Sequence, residues 1–344
     1  MSTLVGVFCA MLSGACDGSY GVVMKVTKRW EWENIWLLFS MVALVFFPVG
    51  LALWSTPNLI SIYRTVDPAV VWRTAVLGFG WGIGSVFFGL GLYLLGQSIA
   101  YTVMMGMIAV IGALVPMLVT NPDALATTGG AFIVASMLVT VAGVVLCGMA
   151  GKLRDEQSHN VQAGVRPYRS FVAAYLVCLG GGVFSSMFNL AFHFGAPIAV
   201  ATAQQIGQSS DSFRANSPIW ALAMLGGFVP NAAYCVYLLS RNGTWGLFRR
   251  HQDGRYWLWA FAMGALFAAG ITTYGIGASQ LGKMGTTVAW LVFVATGILV
   301  ANLWGIAWRE WHGAPQRAVQ SMQIGSLLLI VSIALVSYGN YLLP

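Results

Sequence analysis

Ten times along this chain a run of about 20 mostly apolar residues recurs, and no other feature restricts the fold so tightly. The runs cover 3–24, 34–54, 71–94, 98–119, 130–150, 170–193, 217–239, 256–279, 285–307 and 319–342. At a rise of about 1.5 Å per residue, each is long enough as a helix to cross the roughly 30 Å hydrocarbon layer of a bilayer. Charged residues make up 8% of the chain and hydrophobic ones 58%, whereas soluble domains are about 25% charged. The sequence therefore describes an all-α membrane protein with ten transmembrane helices and little mass outside the bilayer. Residues 1–24 carry no Lys or Arg ahead of their apolar run, so they read as a first span rather than a cleaved signal peptide.

The third run contains Gly78 to Gly96, GFGWGIGSVFFGLGLYLLG, with seven glycines and no charge. In water each interior glycine costs a helix about 0.5–1 kcal/mol, but between membrane helices small residues let backbones approach closely. The stretch has an echo. At an offset of 186 positions, Gly78, Gly84, Gly89, Gly91 and Gly96 fall on Gly264, Gly270, Gly275, Gly277 and Gly282. At 185, Thr102-Val103 meets Thr287-Val288, Gly112 meets Gly297, and Ser136-Met137 meets Ser321-Met322. The chain thus divides into a five-helix repeat over 1–150, a linker over 151–169, and a second five-helix repeat over 170–344. Five crossings is an odd number, so the second copy sits upside down relative to the first. Inverted repeats of this kind place a transporter's site between the two halves, near mid-membrane.

Loop charge sets the expected orientation. Lys25, Lys28, Arg29, Lys152, Arg154, Arg166, Arg169, Arg241, Arg249, Arg250, Arg255, Arg309 and Arg317 fall in one set of alternate loops; only Arg64, Arg73, Arg214 and Lys283 fall in the other. The richer set is expected to be cytoplasmic, with both termini on the outer side. The net charge of +7 resolves into this bias, so no nucleic-acid partner is expected. Connections are short except for 151–169 and for 194–216. The latter holds Gln204, Gln205, Gln208, Ser209, Ser210 and Asp211, is too polar to cross, and reads as an interfacial helix or a lid.

Asp17 is the one carboxylate that falls inside a span, eight residues or about 12 Å before Lys25. On a helical wheel it lies about 40° from Gly21, beside a face formed with Gly14 and Gly18 that has to pack on other helices. An ionised Asp there costs several kcal/mol unless it is paired or wet. A carboxyl that gains and loses a proton during a cycle is what proton coupling requires. The competing expectation is a permanently neutral or hydrogen-bonded structural Asp. Trp81 and Ser85 share a face of the third helix, and Ser185 and Asn189 a face of the sixth. Tyr274 lies in the eighth helix, Thr287 and Trp290 in the ninth, and Asn231 in the seventh. Aromatic rings against C–H faces and hydroxyl or amide groups at the edges suit a neutral polyol, with Trp81, Tyr274 and Trp290 as stacking surfaces. Ser85, Ser185, Asn189 and Thr287 are the expected hydroxyl partners. His193 reads as an interfacial residue or a proton relay, and the Trp30, Trp32, Glu33, Trp36 cluster as an aromatic belt. Five cysteines fall in apolar spans with no C-x-x-C pair, and no Walker loop, Ser/His/Asp set or metal-ligand spacing occurs. Neither an enzyme nor a bound cofactor or metal is expected.

These features resemble the bacterial L-rhamnose–proton symporters, a branch of the drug/metabolite transporter superfamily. The resemblance rests on Lys28-Arg29-Trp30-x-Trp32-Glu33 with Trp36, then Trp81-Gly82-Ile83-Gly84 with Gly89-Leu90 and Leu95-Gly96. It continues through Phe184-Ser185, Pro197, Asn231 with Cys235, Trp290 and Arg309-Glu310-Trp311. It implies ten helices in two inverted halves and uptake of L-rhamnose or a related 6-deoxyhexose with a proton across a bacterial inner membrane. The chain departs from the family in carrying Thr286 where members have a helix-nine acid, and Asp17 where they have none. Two alternatives stand beside it: an exporter of a small metabolite or cation, and a non-transporting membrane receptor or scaffold.

Overall fold

The computed structural model describes residues 2–157, 171–249 and 254–343. Among them every regular element is a helix. Ten helices are long and apolar enough to cross a membrane: α1 (Thr3–Lys25), α2 (Trp32–Ser55), α3 (Pro68–Gly91), α4 (Ala100–Thr120), α5 (Thr128–Arg154), α6 (Val172–Ile206), α7 (Phe213–Asn242), α8 (Gly254–Gln280), α9 (Gly282–Ala307) and α10 (Gln316–Tyr341). This is a multi-pass membrane protein with the span count its hydropathy predicts. Of the expected linker, residues 158–169 lie outside the described residues.

Two segments needed more than hydropathy. Helical hydrogen bonding runs unbroken from Pro68 to Thr120, yet the chain folds back within it. Phe88 and Tyr101 bring their ring centroids to 6.2 Å, although thirteen residues of straight helix span about 20 Å. The reversal falls between α3 and α4. The polar segment 194–216 is largely helical: α6 breaks at Gly195 and resumes as Ala196–Ile206. That helix buries Ile198, Ala199, Thr202 and Ala203, and Gln205 Nε2 donates to Pro57 O at 2.7 Å. It is held down at both ends rather than hanging as a free lid.

Packing explains the glycines. α3 and α4 both lie on α6, α3 also on α7, α1 on α8 and α9, and α5 on α10. A Cβ at Gly84 would meet Phe184 C at 2.7 Å and Ser185 Oγ at 2.8 Å, so α3 reaches α6 only with a glycine there. Gly89 has nothing within 4 Å. Gly84→Val is therefore expected to cost about 1–3 kcal/mol by overpacking, and Gly89→Val close to nothing. Melting of the two purified variants in detergent checks this, and equal losses would contradict the packing argument.

Candidate functional site

α1, α2, α3, α4 and α6–α9 enclose a cavity of about 450 Å³. It opens where Lys25 and Trp304, both partly exposed, stand on its wall. Glycines set its first wall. Gly14 and Gly18 bring α1 against α9, where added Cβ atoms would sit 2.8 Å from Thr296 Cβ and 3.0 Å from Val300 Cβ. That contact turns the neighbouring Asp17 onto the cavity wall. Gly297 of α9 leaves room for it, since a Cβ there would lie 3.4 Å from Asp17 Oδ2. The Asp17 carboxylate makes no hydrogen bond or ion pair with any described residue. One turn away the buried Ser13 hydroxyl is also without a partner. Lys25 does not neutralise Asp17. Its ammonium pairs with Glu310, whose other oxygen takes Arg154 Nη1 at 3.1 Å.

Aromatic side chains form the broad walls. Trp81 stacks on Phe267 at 6.0 Å and 18°, and tilts against Phe188 at 5.5 Å. Trp290 stacks on Phe293 at 5.2 Å. Its indole N–H donates to Ile108 O at 2.7 Å, so it offers the cavity a ring and no donor. A polar group lies among these rings: Ser85, Ser185 and Asn231 all reach the wall. Ser85 Oγ lies 2.7 Å from Asn231 Oδ1.

Five of the eight expected site residues thus meet on one cavity: Asp17, Trp81, Ser85, Ser185 and Trp290. The other three, Asn189, Tyr274 and Thr287, lie one helical turn beyond its closed end and bond to protein. Pro116 inside α4 has no N–H to give the carbonyl of Gly112, four residues back. Asn189 Nδ2 takes its place, donating to Gly112 O at 2.7 Å and to Thr286 O at 3.1 Å. The Tyr274 hydroxyl donates to Asn189 Oδ1, and Thr287 Oγ1 donates to Ala113 O at 2.9 Å. His193 continues the layer, with Nδ1 at 2.9 Å from Thr286 Oγ1 and Nε2 at 3.1 Å from Thr120 Oγ1. Phe188, Phe192, Trp220 and Tyr274 fill the space between.

Sequence reasoning assigned Trp36 to an interfacial belt. The structure puts it on the cavity wall, donating from Nε1 to Asn231 Oδ1 at 2.9 Å. Trp30 is buried against Phe248 and Tyr256 rather than facing lipid headgroups. Tyr20, Tyr101 and Phe267 also line the cavity and were not singled out. A usable signal existed for Asn231, an amide deep in an apolar span directly after Pro230.

A ten-helix bundle walled around a chamber that is open at one end, with a partnerless acid on its wall, defines a polytopic membrane carrier. The comparison with known families makes this specific: the model for the L-rhamnose-proton symport protein (RhaT) matches residues 1–341. The chain belongs to that family. It is similar to the L-rhamnose-proton symporter of Pectobacterium atrosepticum, 24% identical over 343 residues with 98% of each chain covered. It is also similar to that of Escherichia coli, 23% identical with 97% of each covered. These relatives are named as symporters, not as enzymes.

Proposed function

We propose that this chain imports L-rhamnose, or a related 6-deoxyhexose, together with a proton across a bacterial inner membrane by alternating access. The observation that carries the reading is the partnerless Asp17 carboxylate on the wall of a one-ended cavity. Family membership supplies the substrate class. Asp17 is the protonatable switch, Trp81 and Trp290 are stacking surfaces, and Ser85 and Ser185 are hydroxyl partners. Protonated Asp17 with sugar bound permits reorientation, and deprotonation on the far side gives the cycle its direction.

Two inverted halves, 1–150 and 170–344, support the cycle. Under the 186-residue offset, corresponding glycines meet exchanged neighbours. Gly84 of α3 packs on Ser185 of α6, while Gly270 of α8 packs on Cys16 of α1. Gly91 packs on Cys178 of α6, while Gly277 packs on Gly6 and Cys9 of α1. Gly78 packs on Ala223 of α7, while Gly264 packs on Val42 of α2. These exchanged neighbours support equivalent places for α1 and α6, and for α2 and α7. With the Lys- and Arg-rich loops cytoplasmic, both termini are periplasmic and the cavity opens inward, past Lys25.

Counterflow of labelled L-rhamnose in proteoliposomes tests the reading, with sugar binding followed by melting temperature. At 100 times Kd a ligand of the folded state adds about 2.7 kcal/mol. A second reading, export of an organic cation, draws on the same free carboxylate. The pH dependence separates them. A cation binds ionised Asp17, so its affinity rises with pH; a sugar carried with a proton binds more weakly as pH rises. Absence of sugar counterflow together with cation affinity that rises with pH would sink the symport reading.

A further inference from the structure

Asn231 is 2% exposed, yet it stands on the cavity wall. Its side chain joins three helices. Oδ1 accepts from Trp36 Nε1 of α2 at 2.9 Å and from Ser85 Oγ of α3 at 2.7 Å, while Nδ2 donates to Gly227 O one turn back in α7 at 2.9 Å. An amide of this kind has two ways to face, and the choice is decided by its partners. Here the indole decides it, because an indole N–H donates and never accepts. The oxygen must face Trp36, and both of its lone pairs are then filled. Nδ2 has two hydrogens and spends one on Gly227 O. Ser85 has one proton for Asn231 Oδ1 and for Gly82 O at 2.9 Å, so its lone pairs also stay unspent.

The unit therefore leaves one N–H donor and one hydroxyl acceptor unspent on two residues that both line the cavity. Each hydroxyl of a sugar both donates and accepts, so the pair satisfies one such group completely. Trp36 is itself held, stacked on Trp32 at 5.0 Å and 18° and tilted against Phe39 at 4.9 Å. We propose that Asn231, with Ser85, reads one particular hydroxyl of the transported sugar, and that Trp36 is the positioning residue that keeps the amide the right way round. This rests on the sugar-transport reading above and goes further, because it names where discrimination among sugars arises. A site built around an unspent buried donor rejects the analogue lacking its partner, since the donor is left unpaired.

The test uses the full-length protein in proteoliposomes, with half-saturation of counterflow measured for L-rhamnose and for analogues each lacking one hydroxyl. In the wild type one analogue is expected to lose about tenfold or more in apparent affinity beyond the others. In Asn231→Ala that gap closes, because L-rhamnose falls to the level of the analogue. Trp36→Phe keeps an aromatic ring and removes only the indole donor. It is expected to shrink the gap between L-rhamnose and that analogue to about threefold or less, since the amide is now free to turn. A merely structural role for Trp36 lowers affinity for every sugar alike and leaves the gap intact. Equal losses for all analogues in both variants, or an undiminished gap in Trp36→Phe, overturn the assignment. Trp36→Phe carries the test alone if Asn231→Ala does not fold. A wild type without counterflow of any sugar overturns the transport reading, and this assignment with it.

Discussion

Asp17→Asn is expected to abolish uphill accumulation of L-rhamnose while leaving exchange down its gradient within about threefold of wild type. The argument is one of charge, not shape. Asn has nearly the volume of Asp, and Asp17 makes no hydrogen bond or ion pair with a described residue that the substitution would break. The cavity opposite it, bounded by Gly297, has room for an amide. What the variant lacks is a site that takes a proton on one side of the membrane and gives it up on the other. A potential of 100 mV is worth about 2.3 kcal/mol per charge moved, which at 1.36 kcal/mol per tenfold is roughly 50-fold accumulation per proton. Wild-type vesicles with such a potential should approach that ratio, and Asp17→Asn vesicles should stay near one. Accumulation by the variant equal to wild type would falsify the coupling role and move the proton site elsewhere on the wall.

Asp17 was legible because membrane insertion leaves few ways to keep a carboxylate, and the Gly14, Gly18 face told which way α1 packs. The ten crossings were legible for the same reason: backbone polarity in hydrocarbon forces long apolar helices. Composition ends one span at 94 and begins the next at 98; the chain reverses somewhere between Phe88 and Tyr101, although helical bonding continues through the reversal. The misplaced residues share one cause. A polar side chain in an apolar span has to be satisfied, and the sequence does not say whether by substrate or by protein. For Asn189 the answer lay in Pro116, far off in sequence, which leaves the Gly112 carbonyl without its helical donor. For Trp36 it lay in Asn231, 195 positions away. Both are pairings between halves of the chain, and a single sequence carries no local trace of them.

The layer of Asn189, Tyr274, Thr287 and His193 closes the end of the cavity opposite Lys25, and it joins α4 of the first half to α6, α8 and α9 of the second. Opening that end separates these partners and lets water replace them. Bonds present in one state and exchanged for water in the other act directly on the balance between the two. Asn189→Ala removes the donor to Gly112 O and the acceptor for Tyr274 in the sealed state only. Buried groups left unpaired cost about 1–3 kcal/mol each, so two of them move the equilibrium toward the open end by about 2–6 kcal/mol, roughly 30- to 20,000-fold at 1.4 kcal/mol per tenfold. Tyr274→Phe removes one bond and should act in the same direction with about half the free energy. The measurement is labelling of Ser185→Cys, in a background without the five native cysteines, by a membrane-impermeant maleimide added from the periplasmic side. Ser185 stands on the cavity wall below the seal, so its thiol reports whether the layer has parted. Labelling should rise at least tenfold in Asn189→Ala and less in Tyr274→Phe, while Thr273→Val, whose hydroxyl bonds only within its own helix, should leave it unchanged. If Asn189→Ala labels no faster than its parent, these residues hold the helices together without gating them, and the closed end has to open by another route.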